Sequence, residues 1–175
     1  ALLLQISTNL VNDYFDAKKG IDGSDRLGPT RVTQSGLISN EKVKLAFMTS
    51  FFLAFLLGIY LMIHGGTPII MMGIFSIIFA YTYTGGPLPL SYIGLGEILA
   101  FIFFGPVATM GAHFLQSHVF DWQSFILGSG VGFISAAILA INNLRDKNTD
   151  EKSTKKTISV IFGEKFQRIL CITLI

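Results

Sequence analysis

Two segments of the chain carry an Asn followed by acidic residues at intervals of four. Asn12 and Asp16 form the first pair, and Asn142, Asp146 and Asp150 form the second series. Residues four apart lie on one face of an α-helix, so each segment presents a polar, acidic stripe. Proteins commonly hold Mg²⁺ with one or two carboxylates together with phosphate groups and waters. Two such stripes facing each other, with basic residues nearby, suit a diphosphate bridged by Mg²⁺.

The alternative for each stripe is a solvated helix end with local charge pairs. Carboxylates clustered at a membrane boundary repel one another and are costly to desolvate, which a bound cation would relieve. The same Asn-led spacing occurs twice in the chain. This repetition favours a functional role over two unrelated helix ends.

The elements that carry these stripes are strongly apolar. The chain has 175 residues, of which 51% are hydrophobic and 14% charged, whereas a soluble domain carries about 25% charged residues. Mean hydropathy is +0.59, and there is a single Cys. This composition excludes a disordered chain, a disulfide scaffold and an ordinary soluble enzyme core. It predicts an all-α, polytopic transmembrane helical bundle.

The basic residues are confined to two stretches. All 13 Lys and Arg lie in Lys18–Lys44 and Arg145–Arg168. Because these stretches flank apolar runs rather than line a soluble surface, we expect no nucleic-acid partner. The apolar runs predict four spans: Leu45–Ile63, Ile69–Thr84, Tyr92–Leu115 and Ser124–Leu144. Four crossings place both basic loops on one side, and the positive-inside rule makes that side cytoplasmic.

Several strings in the chain resemble the UbiA-type intramembrane prenyltransferases. Asn12-Asp13-x-x-Asp16 and Asp146-x-x-x-Asp150 resemble the two aspartate-rich motifs of that family, which here lie within residues 9–31 and 142–157. Longer strings resemble its 1,4-dihydroxy-2-naphthoate polyprenyltransferase branch: Asn9-Leu-Val-Asn-Asp-Tyr-Phe-Asp16, Gly20-Ile-Asp22, Arg26-Leu-Gly-Pro-Thr-Arg31, Tyr83-Thr-Gly-Gly-Pro87, Gly94-Leu-Gly-Glu97, Phe103-Phe-Gly105 and Asn142-Asn-Leu-Arg-Asp146.

The resemblance covers nearly the whole chain and implies a place within a nine-helix prenyltransferase fold. The chain begins at Ala1 and ends at Ile175, both inside apolar stretches. We therefore expect residues 1–175 to belong to a single transmembrane domain that is incomplete at both ends. The expected location is the inner (cytoplasmic) membrane, with lipid around the spans and both acidic loops on the cytoplasmic side.

The activity that the resemblance implies is transfer of a polyprenyl group from its diphosphate to 1,4-dihydroxy-2-naphthoate. The ring carboxylate is lost, and the products are demethylmenaquinone and diphosphate. Mg²⁺ is the implied cofactor. The residues assigned to Mg²⁺ or its diphosphate complex are Asn12, Asp13, Asp16, Asp22, Asn142, Asp146 and Asp150. Asp13 lies one residue off the stripe, and Asp22 is the acid nearest to Gly20, which occupies the position of a third family aspartate.

Basic and aromatic residues near the two motifs are the candidates for contact with the substrates. Arg31 and Lys155 are the first candidates for diphosphate contact, and Arg26 and Arg145 are the second. Breaking the allylic C–O bond gives the prenyl fragment cationic character, which aromatic faces can stabilise. The candidates for this role lie near the cytoplasmic ends of their predicted helices: Tyr14, Phe15, Tyr81 and Tyr83. Tyr81 and Tyr83 are assigned to the substrate site.

Glu97 stands about one turn inside a predicted span. Ionisable residues are rare at such positions and are usually functional. Glu97 is predicted to orient the hydroxyls of the aromatic acceptor or to accept a proton from its ring. With Asp16 and Asp146 it forms the candidate catalytic set. The alternative is a Glu near the membrane interface whose carboxylate reaches the headgroups.

Two other functions remain open at this stage. A related prenyltransferase could use another aromatic acceptor, such as homogentisate or 4-hydroxybenzoate. A cation transporter could use the acidic clusters as ion sites. A transport path needs polar groups near mid-membrane, and the predicted spans are almost free of them, which disfavours transport.

Overall fold

The computed structural model describes residues 1–21, 31–33, 35–153 and 155–175. All regular structure in these ranges is helical, as the sequence predicts. The elements are α1 (Leu2–Lys18), α2 (Asn40–Thr82), a 3₁₀ turn (Leu90–Ile93), α3 (Gly96–Ile102), a π turn (Phe103–Val107), α4 (Ala108–Ser117), α5 (Trp122–Arg145), α6 (Lys147–Lys152) and α7 (Ile158–Thr173). Asp22 and Arg26, two of the predicted site residues, lie outside the described residues.

Helix α2 contains the first two predicted spans and the break between them. Its 43 residues would extend about 65 Å at 1.5 Å per residue, roughly twice the ~30 Å hydrocarbon core of a bilayer. The helical path breaks at Gly66, which has φ 61° and ψ −153°. A Cβ on Gly73 would lie 3.0 Å from Met62 Cε, so the two halves fold back against each other. The break therefore lies between the predicted spans Leu45–Ile63 and Ile69–Thr84.

The third predicted span begins later than expected and is not one regular helix. Tyr92 lies in the separate 3₁₀ turn, which ends at Gly94 with φ 79°, and the helical run starts at Gly96. A π turn around Gly105 and Pro106 interrupts this run. Proline has no backbone N–H and clashes with the preceding helical turn, which explains the local widening. The third predicted span is present, but it runs from Gly96 to Ser117 rather than from Tyr92 to Leu115.

Glycines let the π turn and α5 touch through their backbones. A Cβ on Gly105 would lie 2.6 Å from both Gly128 O and Gly132 Cα. A Cβ on Gly132 would lie 2.6 Å from Phe101 O. Any side chain at these positions would push the helices apart, because the neighbouring atoms belong to backbone and cannot rotate away. This contact sets how closely α5 approaches the Gly96–Ser117 run.

The second acidic stripe begins at the C-terminal end of α5 and continues into α6. The carboxylate of Asp121 accepts a hydrogen bond from Ser124 N at 2.7 Å and caps the helix start. This bond lowers the pKa of the Asp121 carboxyl. At the other end, Asp146 N donates to Asn142 O and Asp150 N donates to Asp146 O, both at 2.9 Å. The four-residue spacing of the stripe is thus kept across the junction of α5 and α6.

The packing leaves broad apolar faces on the outside. Helix α1 packs on α2, and α5 packs on α3, the π turn, α4 and α7. Within the described residues, three helices are long and apolar enough to span a membrane: α2, the Gly96–Ser117 run and α5. Only 6%, 28% and 33% of their most apolar windows are buried. The chain is a helical membrane protein whose spans present apolar side chains to their surroundings.

Candidate active site

The helices enclose a cavity of about 990 Å³ between α1, α2, the Gly96–Ser117 run and the end of α5. Along the Gly96–Ser117 run its lining extends from Leu99 to Leu115, about 24 Å at 1.5 Å per residue. Eight predicted site residues line this cavity: Asn12, Arg31, Tyr83, Asn142, Arg145, Asp146, Asp150 and Lys155. Polar groups from both motifs therefore share one cavity whose remaining walls are mainly aliphatic and aromatic.

Asp16, in the first motif, contacts Lys155 of the second motif at a position outside the cavity lining. Its side chain is fully buried. Oδ2 accepts a hydrogen bond from Lys155 Nζ at 2.8 Å, and Arg31 Nη2 lies 4.0 Å from the same oxygen. Lys155 and Arg31 line the cavity, whereas Asp16 is not among the lining residues. The carboxylate therefore compensates the charge of the cavity's basic residues and fixes the position of Lys155.

Tyr92 also contacts Asp16 and was missed by the sequence reasoning. Its hydroxyl donates to Asp16 Oδ1 at 2.5 Å, and its backbone oxygen accepts from Lys156 N at 2.9 Å. Its ring lies 4.2 Å from Lys19 Nζ and 5.3 Å from Lys155 Nζ. Its place just before the Gly94–Glu97 string was the one available signal. Partial burial lowers the pKa of Lys19, with Asp16 opposing this effect and Lys155 adding to it.

The second motif presents oxygen atoms to the cavity. Asp146 accepts two hydrogen bonds from Arg145, from Nε and Nη2, each at 2.7 Å. The neighbouring carboxylate of Asp150 is buried, with 6% exposure. In the first motif, Asn12 Oδ1 is buried and has no hydrogen-bond partner among the described residues. An unpartnered buried acceptor is unusual in a folded protein and calls for a donor or a cation.

Asp13 lies apart from the cavity lining. Its carboxylate accepts a hydrogen bond from the Thr33 hydroxyl, and its side chain is 5% exposed. The structure thus places Asp13 beside the segment that contains Arg31, where it holds the backbone that presents this arginine. Its offset from the Asn12–Asp16 stripe is consistent with this separate position.

Glu97 lies in a buried polar network between α3, α5 and α7. Its Oε1 accepts hydrogen bonds from Asn143 Nδ2 at 2.9 Å and from Gln167 Nε2 at 3.0 Å. Gln167 Nε2 also donates to Ala140 O at 2.9 Å. Glu97 is 4% exposed and is not among the cavity-lining residues. Gln167 was missed by the sequence reasoning, because it lies among the charged residues Glu164, Lys165 and Arg168 and nothing local sets it apart.

The two predicted tyrosines differ in position. Tyr83 lines the cavity, whereas Tyr81 is 38% exposed and packs edge-on against Phe15 with ring centroids 5.9 Å apart. Burial raises the pKa of the Tyr83 hydroxyl, and the nearby carboxylates, Glu97 foremost, raise it further. Tyr83 therefore stays neutral and offers its ring and an O–H group to the cavity.

The oxygen atoms of the two motifs do not form a compact cluster by themselves. Among the residues that the structure describes, no three His, Cys, Asp or Glu side chains converge as a ready-made metal site would require. The cavity instead distributes carboxylates, amides and cations around a shared space, which suits a ligand that itself carries phosphate oxygens.

Fold and site together define a helical membrane protein in which two acidic motifs meet around an apolar cavity. The sequence model of the UbiA prenyltransferase family matches residues 1–175, and the chain belongs to this family.

The chain is similar to proteins named 1,4-dihydroxy-2-naphthoate octaprenyltransferase from three bacteria. Identity is 40% over 168 residues for Escherichia coli (strain K12), 39% over 170 residues for Mycobacterium tuberculosis (strain ATCC 25618 / H37Rv) and 32% over 165 residues for Bacillus subtilis (strain 168). These alignments cover 93%, 97% and 94% of this chain and 54%, 58% and 53% of the relatives. The chain thus spans somewhat more than half the length of these relatives. No solved structure matches it.

Proposed function

We propose that the chain is part of an enzyme that transfers a polyprenyl group from its diphosphate to 1,4-dihydroxy-2-naphthoate. The observation that carries this proposal is the single cavity in which groups from both acidic motifs and three basic side chains meet a long apolar wall. A polyprenyl diphosphate has this same division into a charged head and an apolar tail. The similarity to relatives named for this reaction supports the choice of aromatic acceptor.

Lys155 and Arg31 are proposed to hold the diphosphate. Both line the cavity, and charge-assisted hydrogen bonds to phosphate oxygens are among the strongest that side chains form. Lys155 Nζ has one acceptor in Asp16, and an ammonium has three N–H donors. It can therefore bind phosphate while Asp16 keeps it in place. Arg145 is a secondary contact, since two of its donors already bind Asp146.

The oxygen donors around the cavity fit Mg²⁺. Within the part of the chain that the structure describes, Asn12 Oδ1 is buried without a hydrogen-bond partner. Carboxylate and amide oxygens are the ligands that this hard cation takes, alongside phosphate oxygens. We propose that Asn12, Asn142, Asp146 and Asp150 hold Mg²⁺ with the diphosphate. Asp16, Asp13 and Asp22 belong to the same motif and are proposed as supporting acids. When bound, Mg²⁺ stabilises the negative charge that develops on the departing diphosphate.

The remaining walls are proposed to direct the prenyl fragment to the aromatic ring. The allylic C–O bond breaks with its electron pair leaving on diphosphate, and a new C–C bond forms to the ring, which loses its carboxylate as CO₂. No oxidant takes part, so demethylmenaquinone is released in its quinol form. The Tyr83 ring stabilises the cationic fragment, and the apolar lining excludes water that would otherwise capture it. Tyr81 lies in the last turn of α2 and outside the cavity lining, so it would act indirectly, by holding the helix end that precedes Tyr83.

We propose that the protein lies in the inner (cytoplasmic) membrane with both motifs on the cytoplasmic side. The two basic stretches and the shared cavity support this orientation, since positively charged loops favour the cytoplasmic face. Residues 1–175 would form part of one transmembrane domain, with the first motif in residues 9–31 and the second in residues 142–157. Water-soluble naphthoate and diphosphate would then exchange with the cytoplasm, and the prenyl tail with lipid.

The experiment that tests this proposal offers three acceptors to the purified full-length protein. 1,4-Dihydroxy-2-naphthoate, 4-hydroxybenzoate and homogentisate are each supplied with a polyprenyl diphosphate and Mg²⁺, and prenylated products are identified by mass spectrometry. Product from the naphthoate, with release of CO₂, is the expected result. Product from the other two acceptors alone would contradict the naphthoate assignment. Absence of any product, together with Mg²⁺ flux through proteoliposomes, would favour a transporter.

A further inference from the structure

The network around Glu97 determines how one cavity residue is oriented. Asn143 lines the cavity beside Asn142, and its Nδ2 donates to Glu97 Oε1 at 2.9 Å. Its backbone oxygen accepts from Ser159 Oγ at 2.8 Å, which ties this residue to the start of α7. Both the side chain and the backbone of Asn143 are therefore held by residues that do not line the cavity themselves.

The chemistry of Glu97 Oε1 decides which end of the Asn143 amide points toward it. This oxygen already accepts from Gln167 Nε2, so it acts as an acceptor and needs N–H donors from its neighbours. The flipped amide of Asn143 would bring two oxygens together in a buried site, with no donor between them. The Asn143 NH₂ group must face Glu97, which leaves Oδ1 as the side-chain acceptor available to the cavity.

We propose that Asn143 Oδ1 accepts a hydrogen bond from a ring hydroxyl of the aromatic substrate, and that Glu97 is the positioning residue that holds Asn143 in this orientation. The inference rests on the proposed function, because it assigns a residue to the aromatic acceptor of that reaction. It also changes the role of Glu97, which acts through Asn143 and touches neither substrate.

The surroundings of Asn143 suit a hydroxylated aromatic ring rather than a second phosphate. Tyr83, Ser91 and Thr157 line the same cavity as Asn143 and bring an aromatic ring and neutral hydroxyls to it. Thr157 Oγ1 shares a 2.9 Å hydrogen bond with Ser159 Oγ, the donor to Asn143 O. A site with a fixed acceptor strongly disfavours an analogue that lacks the matching hydroxyl, because the acceptor is then buried unpaired.

The first test separates positioning from proton transfer at Glu97 in the full-length enzyme. Glu97→Gln keeps a carbonyl oxygen that can accept from Asn143 but cannot take a proton from the ring. We expect Glu97→Gln to keep kcat and the KM for the naphthoate within about twofold of wild type, whereas Glu97→Leu, which has no acceptor, raises that KM about tenfold. A Glu97→Gln variant that loses kcat at unchanged KM would overturn the proposal in favour of a base.

The second test acts on Asn143 and remains informative if Glu97→Leu fails to fold. Asn143→Leu keeps the size of the side chain and removes Oδ1. The expected result is a KM for the naphthoate raised about tenfold with the KM for the polyprenyl diphosphate within about twofold of wild type. An unchanged naphthoate KM, or equal increases in both constants, would refute the assignment.

A matched control uses the other amide on the same carboxylate. Gln167→Met removes one hydrogen bond to Glu97 Oε1 and leaves the one from Asn143. We expect it to lower thermal stability without changing the ratio of the two KM values. A rise in the naphthoate KM equal to that of Asn143→Leu would indicate a general loss of structure and overturn the proposal. Wild-type turnover of the naphthoate tests the proposed function itself, so the two failures are distinguishable.

Discussion

Replacing Tyr92 by Phe deletes one hydroxyl group at the point where the two motifs meet. The hydroxyl donates to Asp16 Oδ1, and Asp16 is completely buried. The ring, with its contacts to the ammonium groups of Lys19 and Lys155, is kept by the substitution. The variant therefore isolates the hydrogen bond from the packing and cation–π interactions of the side chain.

The expected cost follows from the charge and burial of the acceptor. A hydrogen bond to a charged group contributes about 1.5–3 kcal/mol, and a buried acceptor that loses its donor pays its full desolvation cost. Water cannot replace the hydroxyl without entering a site where Asp16 has no exposed surface. We therefore expect Tyr92→Phe to reduce the free energy of unfolding by about 2–3 kcal/mol.

Unfolding of the full-length protein in detergent micelles measures this cost. Tyr60→Phe is the matched control, because Tyr60 is 64% exposed and surface substitutions usually stay within about 0.5 kcal/mol. In an Asp16→Asn background the cost of Tyr92→Phe should fall to about 1 kcal/mol, the contribution of a neutral hydrogen bond. A cost below about 0.5 kcal/mol in the wild-type background, or an equal cost in both backgrounds, would refute the reasoning.

Two further changes test the packing and the diphosphate contact. Gly105→Ala should destabilise the protein by about 1–3 kcal/mol, because the new Cβ would lie 2.6 Å from the α5 backbone. Gly130→Ala, whose Cβ would meet open space, should be neutral or stabilising. Thermal unfolding measures both. Lys155→Met should raise the KM for the polyprenyl diphosphate at least about tenfold. Lys165→Met is the control and should change this KM little, because Lys165 is exposed and does not line the cavity. Equal KM values in these two variants would remove Lys155 from the diphosphate site.

The membrane-spanning segments could be predicted because their cause is local. A 52-residue stretch without charge has to cross a bilayer twice, and the Gly-Gly-Thr-Pro string within it marks the break that the structure has at Gly66. The π turn at residues 103–107 could not be predicted, since Gly105 and Pro106 are also compatible with an ordinary kink. Its form depends on the approach of Gly128 and Gly132 from another helix.

The candidate site shows the same division between local and distant causes. The stripes of the two motifs follow from helical spacing, which requires only residues four apart. The contacts of Asp16 could not be predicted from helical spacing, because Tyr92 and Lys155 are 76 and 139 residues away in the chain. The position of Glu97 inside a predicted span made it a candidate site residue, but its partners Asn143 and Gln167 depend on how α3, α5 and α7 pack.

Two distant acidic motifs are proposed to bind one Mg²⁺-diphosphate group for prenyl transfer. The most direct measurement is Mg²⁺-dependent diphosphate release by full-length wild type, Asp146→Asn and Asp121→Asn, each supplied with polyprenyl diphosphate and 1,4-dihydroxy-2-naphthoate. Asp121 caps the opposite end of α5, where Asn caps equally well. We predict that Asp146→Asn abolishes release while Asp121→Asn retains it, with both variants folded in the membrane. Near-normal release by Asp146→Asn, or release by wild type that persists after chelation of Mg²⁺, would contradict it.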